Sequence, residues 1–246
     1  MPAEESRPQL TTDPSGRPDV DQAPSRSGSA RSSTTIVVVT GAAPLGRRAV
    51  AAVPPDALVI AADGGLDHAR AAGLDPDVLV GDLDSISALG LAWASEHTEL
   101  VRHPVDKAAT DTELAIAHAA TYAPERILLV AGQGDRLDHA VAALGALGAP
   151  TLAGIGSLEA WWGDDRFHVV HAPHTVALDI PPGTTFSVLA LHGPAVGVTV
   201  AGARWPLTDH RLEPLVGLGV SNIAEAAPTV TLTGGIVTVV VPGAAS

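Results

Sequence analysis

Apolar residues in the first two thirds of the chain gather in short unbroken runs. Thr35-Ile36-Val37-Val38-Val39 ends at Gly41, and Ala57-Leu58-Val59-Ile60-Ala61-Ala62 ends at Asp63-Gly64-Gly65. Val78-Leu79-Val80 ends at Gly81-Asp82-Leu83-Asp84-Ser85, and Arg126-Ile127-Leu128-Leu129-Val130-Ala131 ends at Gly132. Runs of this length without polar alternation describe strands buried on both faces. Ala-rich stretches with helical spacing lie between them, over Leu89 to Glu96, Thr110 to Ala120 and Leu137 to Leu147. The alternation predicts an α/β domain with a mostly parallel sheet, placed at residues 34–160.

The rhythm changes near residue 160. His168-Val169-Val170, Thr175 to Leu178, Thr185 to Leu189, Gly197 to Val200, Thr229 to Leu232 and Ile236 to Val240 are short, and several alternate apolar with Thr or Ser. Thr233-Gly234-Gly235 reads as a tight hairpin turn. These spacings leave no room for crossover helices. They predict a smaller all-β domain, an antiparallel sandwich or barrel, over residues 161–246. Residues 1–33 are rich in Ser, Pro, Arg, Asp and Thr and nearly lack large apolar side chains, the composition of a disordered tail.

Composition narrows the function. The formal charge of −13 argues against a nucleic-acid partner, which would require a basic face. With no cysteine, thiolate nucleophiles, disulfides and Cys-based zinc sites are excluded. No apolar stretch reaches membrane-spanning length and no signal-peptide pattern opens the chain, so no membrane partner and a cytoplasmic location are expected.

Chemistry gathers where the strands run out. Asp63-Gly64-Gly65 is a turn capped by Asp63, or a close backbone approach to a ligand with a carboxylate in reach of a metal. A helix cap explains one of Asp82 and Asp84 but not both beside Ser85. Two clustered carboxylates repel unless a cation joins them, and Mg²⁺ with bound phosphate fits. In the Lys107 to Glu113 stretch, Thr110 and Glu113 fit a capping box, while Asp111 suits a metal and Lys107 a phosphate. Gly132-Gln133-Gly134-Asp135-Arg136 is a Gly-rich turn into a helix whose N–H groups and Arg136 can hold phosphate, although it lacks the Gly-Lys-Ser/Thr of a P-loop. His68, His118 and His139 fall on helices. His168, His171 and His174 cluster without the further ligands a zinc site needs. Trp161-Trp162 suits core packing or a subunit interface better than a ligand platform.

Taken in order, five segments resemble the thiamine pyrophosphokinase family. They are Asp63-Gly64-Gly65, Gly81-Asp82-Leu83-Asp84-Ser85-Ile86, the Lys107 stretch ending Thr110-Asp111-Thr112-Glu113, Arg136-Leu137-Asp138-His139, and Trp205-Pro206-Leu207 followed by Gly219-Val220-Ser221-Asn222. The resemblance spans residues 35–241. It implies a catalytic α/β domain, a β domain that helps to bind thiamine, and a homodimer with active sites at the interface. The implied reaction converts ATP and thiamine to AMP and thiamine diphosphate, with Mg²⁺ as cofactor. The resemblance places Asp63, Asp82, Asp84 and Asp111 around the metal. It gives Gly64, Lys107 and Arg136 to ATP, Asp138 to the thiamine or its reacting hydroxyl, and Trp205, Ser221 and Asn222 to thiamine. Ala108 and Asp135 depart from the family pattern, which often has Asp and Gly there. They leave open a non-catalytic thiamine or thiamine diphosphate binding protein on the same scaffold.

Overall fold

A computed structural model describes residues 32–134 and 136–243. Most of the tail expectation, residues 1–31, and Asp135 lie outside the described residues. The first strand, β1 (Ser32–Val39), begins inside the stretch read as tail. It continues through α1 (Arg47–Ala51), β2 (Ala57–Ala62), α2 (Gly65–Ala71), β3 (Val78–Gly81), α3 (Ala88–His97), β4 (Glu99–Arg102), α4 (Asp111–Thr121), β5 (Arg126–Ala131), α5 (Leu137–Ala146) and β6 (Ser157–Trp162). These six strands form a parallel sheet in the order β6-β5-β1-β2-β3-β4.

The unbroken apolar runs follow from burial on both faces. Ile36, Val38, Ile60, Val80, Ile127 and Leu129 point to one side, where they pack with Ile116 and Ala119 of α4, Ala143 of α5 and Leu147, the residue that caps α5. The alternate residues Val37, Val39, Val59, Leu128 and Val130 meet Ala49 of α1 and Ala69 of α2 on the other side. Side chains of a strand alternate between faces, so a sheet with helices on both sides needs apolar residues at every position.

The chain then turns back at Gly163 into β7 (Asp165–His171), which pairs antiparallel with β6. The remaining strands are β8 (His174–Ala177), β9 (Thr185–Leu189), β10 (Ala195–Ala203), β11 (Leu207–Leu212), β12 (Asn222–Leu232) and β13 (Ile236–Val241). All pairings in this half are antiparallel. The parallel sheet runs on without a break through β7, β13 and β9. Phe186, Val188, Val198, Val200, Val230, Leu232, Val237 and Val239 fill a second core. The architecture is thus an α/β sheet followed by an all-strand region.

One turn differs from expectation. The segment Thr233-Gly234-Gly235 does not close a hairpin, because β9 lies between β12 and β13. Its backbone bonds instead to Val196, which donates to the Gly234 carbonyl at 2.9 Å and accepts from the Thr233 N–H at 3.0 Å. Gly235, at φ 81°, redirects the chain from one strand layer to the other.

Candidate active site

Because β5 lies on the far side of β1 from β2, the strand order reverses at β1. Loops at the carboxyl ends of the strands part there and leave a crevice. The crevice is a cleft of about 480 Å³, walled by the loops after β1, β2 and β3 and by the first turns of α4 and α5.

Three carboxylates converge at its edge, and two of them, Asp63 and Asp111, line it. Asp63, Asp82 and Asp111 each bring one oxygen within 4.8 Å of the others. They come from three elements: the end of β2, the end of β3 and the first residue of α4. Each is fixed locally. Asp63 sits in the left-handed region at φ 45°, with its N–H bonded to Val80 O at 2.9 Å. Directly behind it a Cβ on Gly65 would collide with the Val39 carbonyl, so the turn closes tightly on β1. Leu83, at φ 69°, bends the chain between Asp82 and Asp84. Such strain collects where geometry serves a ligand. Asp111 is held by the capping box, in which Thr110 Oγ accepts from the Glu113 N–H at 3.2 Å and Glu113 accepts from the Thr110 N–H at 2.7 Å. Capping and site-building are therefore the same arrangement.

Lys107 closes the group. Its ammonium lies 2.7 Å from Asp82 Oδ2 and 2.7 Å from Asp111 Oδ1. The Lys107 hydrogen bond is the chief reason that Asp82 is held below the usual carboxylate range. Burial opposes the charged form of Lys107, but the hydrogen bonds to Asp111 and Asp82 outweigh it and raise its pKa. Asp63 has no such partner. Burial is the main cause of its raised pKa; Ser85 and the Gly64 N–H oppose that rise, while Asp111 and Asp82 add to it. Its Oδ1 is buried with no hydrogen-bond partner. Three oxygen donors around a small space, one of them unsatisfied, fit a hard divalent cation. Gly81, at φ 153°, keeps that space open, since a Cβ there would lie 3.0 Å from Asp111 Oδ1 and 3.1 Å from Asp63 Cβ.

The other expected residues lie apart from this group. Asp84 stands on the cleft wall and accepts from Ser85 Oγ at 2.9 Å. Gly64 lines the same wall. Arg136 reaches the cleft but folds onto Asp138, with Nε to Oδ1 at 2.9 Å and Nη2 to Oδ2 at 2.7 Å. That guanidinium holds the Asp138 carboxyl well below its ordinary value. Trp205, Ser221 and Asn222 cluster in the β half. The cleft wall is drawn only from residues 40–162, so this cluster does not reach it within one protomer. Trp205 is 56% exposed, Asn222 is buried, and Ser221 adopts φ 59°.

Some cleft residues were not foreseen. Thr40, Gly41 and Ala42 line it from the end of β1, and Trp162 lines it from the end of β6. Trp161 instead packs into the core on the far face of the sheet. Both tryptophans therefore pack against the core, one on each face of the sheet, and Trp162 borders the cleft as well. The available signal was an aromatic residue at the carboxyl end of a strand. The histidines of β7 and β8 do not form a metal site. His171 bonds to Leu147 O at 2.9 Å, His174 is exposed, and among the described residues the metal-competent group is the aspartate triad.

Comparisons with known proteins point to one family. Residues 53–153 match the family model described as thiamin pyrophosphokinase, catalytic domain, and residues 168–237 match thiamin pyrophosphokinase, vitamin B1 binding domain. No curated protein sequence matches. Among solved structures, thiamine pyrophosphokinase from Bacillus subtilis superposes with a TM-score of 0.73 at 19% identity, over 86% of this chain and 100% of that one. The enzyme from Geobacillus thermodenitrificans gives 0.71 at 22% identity, over 86% and 99%. The yeast enzyme gives 0.63 at 12% identity, over 85% and 86%. The structural likeness establishes a shared fold. The two family models, lying in order over more than half of the residues, show that the chain belongs to the thiamin pyrophosphokinase family of enzymes.

Proposed function

We propose that the chain is a thiamine diphosphokinase that transfers the pyrophosphoryl group of ATP to the thiamine hydroxyl. The hydroxyl oxygen bonds to the β-phosphorus, the bond from that phosphorus to the α-phosphate oxygen breaks, and AMP leaves. The hydroxyl proton passes to solvent or a nearby base. The observation that carries this reading is the convergence of Asp63, Asp82 and Asp111 at the switch point of the sheet, with one buried oxygen unsatisfied.

Asp63, Asp82 and Asp111 would hold Mg²⁺, with Asp84 on the cleft wall beside them. When bound, Mg²⁺ neutralises charge on the phosphoryl oxygens. The rest is alignment. The Gly64 backbone offers close approach to the nucleotide. Arg136, at the start of α5, can exchange its partner Asp138 for phosphate, which leaves Asp138 free to face the thiamine or its hydroxyl. Thiamine carries a cationic ring, which suits an aromatic face such as Trp205 and the acidic surroundings. Trp205, Ser221 and Asn222 lie off the cleft of their own protomer, so we place them on the cleft of a second copy in a homodimer.

The test measures AMP release from ATP with and without thiamine. Mg²⁺-dependent AMP formation that requires thiamine is the expected result. Tight thiamine binding with no AMP under saturating Mg-ATP would instead identify a non-catalytic binding protein. Asp82→Asn is expected to lower turnover by about 10³-fold with the fold retained.

A further inference from the structure

Lys107 is the only lysine in the chain; the other thirteen basic residues are arginines. Its one ammonium is placed between two of the three converging carboxylates, 2.7 Å from each, and its side chain is only 13% exposed. The loop that carries it is tied back by the Lys107 N–H to Val105 O at 3.1 Å, and the small residues Ala108 and Ala109 follow. An ammonium is a compact point charge on a flexible stem, whereas a guanidinium is a broad planar fork. Here the point charge contacts both oxygens at once through a single nitrogen.

The compensation it provides is incomplete. One positive charge serves Asp82 and Asp111, while Asp63 Oδ1 remains buried without a partner. Three carboxylates and one ammonium leave two negative charges in a mostly buried group. A dication has the charge, and the number of ligand positions, to engage all three aspartates at once.

We propose that Lys107 is a resident counter-cation, standing in the divalent-ion cradle of the ligand-free protein and leaving it when an ion binds. The inference rests on the reading of Asp63, Asp82 and Asp111 as metal ligands. It adds that the ion competes with this side chain, so that metal binding frees the ammonium for phosphate oxygens at the cleft. Metal affinity without nucleotide is therefore low by construction, and metal and nucleotide favour each other.

Two measurements on the full chain test this. Mn²⁺ binding without nucleotide is followed by electron paramagnetic resonance for the wild type and for Lys107→Met. Removal of the competitor is expected to tighten binding by about tenfold or more; equal or weaker binding by a folded variant overturns the proposal. Acetylation of the wild type, read by mass spectrometry, is unambiguous because Lys107 is the sole side-chain amine. Mn²⁺ is expected to accelerate its modification several-fold, and an unchanged or slower rate overturns the proposal even if Lys107→Met does not fold. Absence of Mn²⁺ binding to either protein would overturn the metal reading and this inference together. Binding without release of Lys107 would overturn the inference alone.

Discussion

Asn222 grips the backbone of Trp205 with both ends of its side-chain amide. Its Nδ2 donates to the Trp205 carbonyl at 2.7 Å, and its Oδ1 accepts from the Trp205 N–H at 3.1 Å and from the Ile223 N–H at 2.9 Å. The residue is buried at the start of β12, whereas the indole it holds is more than half exposed. An exposed aromatic ring fixed by a buried amide is positioned by the fold and still open to a partner.

Replacing Asn222 with Ala leaves two N–H groups and one carbonyl without partners in a half-buried setting. The expected cost is about 2–3 kcal/mol, checked by urea denaturation. Because the Trp205 loop loses its anchor, KM for thiamine is expected to rise more than kcat falls. Steady-state kinetics on the folded variant separate the two parameters.

Gly81 separates the carboxylates sterically. In Gly81→Ala the new Cβ enters the space between Asp63 and Asp111, in a backbone conformation that L residues rarely adopt. A stability loss of about 1–3 kcal/mol is expected, together with a fall in kcat of about 10²-fold from misplaced ligands. Wild-type turnover in the folded variant would show that the cradle tolerates a methyl group.

Acid sensitivity is expected to arise at the seam between the two halves. His168 on β7 is 5% exposed and is pushed down to about 4, chiefly by burial; Arg166 and Arg126 add to the shift and Glu159 opposes it. In the unfolded chain its pKa is about 6.5. Between pH 6.5 and 4 the unfolded state therefore binds more protons than the folded state. The stabilising contribution is complete above pH 6.5 and is lost as pH falls through that window, by about 3 kcal/mol. Urea midpoints across this range should fall steeply in the wild type and less in His168→Met. A residual slope will remain, because burial also lowers the pKa values of His118 and His192.

The sequence displayed the strands most clearly where both faces are buried. The runs at Ile36, Ile60, Val80 and Ile127 carried an unmistakable pattern because helices cover both sides of the sheet. β4 was silent because Glu99-Leu100-Val101-Arg102 is a short edge strand with charged ends, and one covered face does not require a continuous apolar run. β6 was silent because Glu159 interrupts it. That carboxylate is buried yet paired, accepting from Arg126 Nε and Nη2 at 3.1 Å each. Such a partner is invisible in a linear pattern. Similarly, the motifs carrying Asp82 and Asp111 marked residues that the fold brings together with Asp63. That Lys107 bridges those two residues, and that Arg136 turns onto Asp138, depends on side-chain directions that spacing does not carry.

The β6–β7 turn passes the hydrogen-bond ladder directly from the parallel sheet to the antiparallel one, at Gly163, with Trp162 beside it. No slack connector intervenes. The two halves are therefore laterally bonded parts of one sheet, and the aromatic residue that borders the cleft sits at their joint.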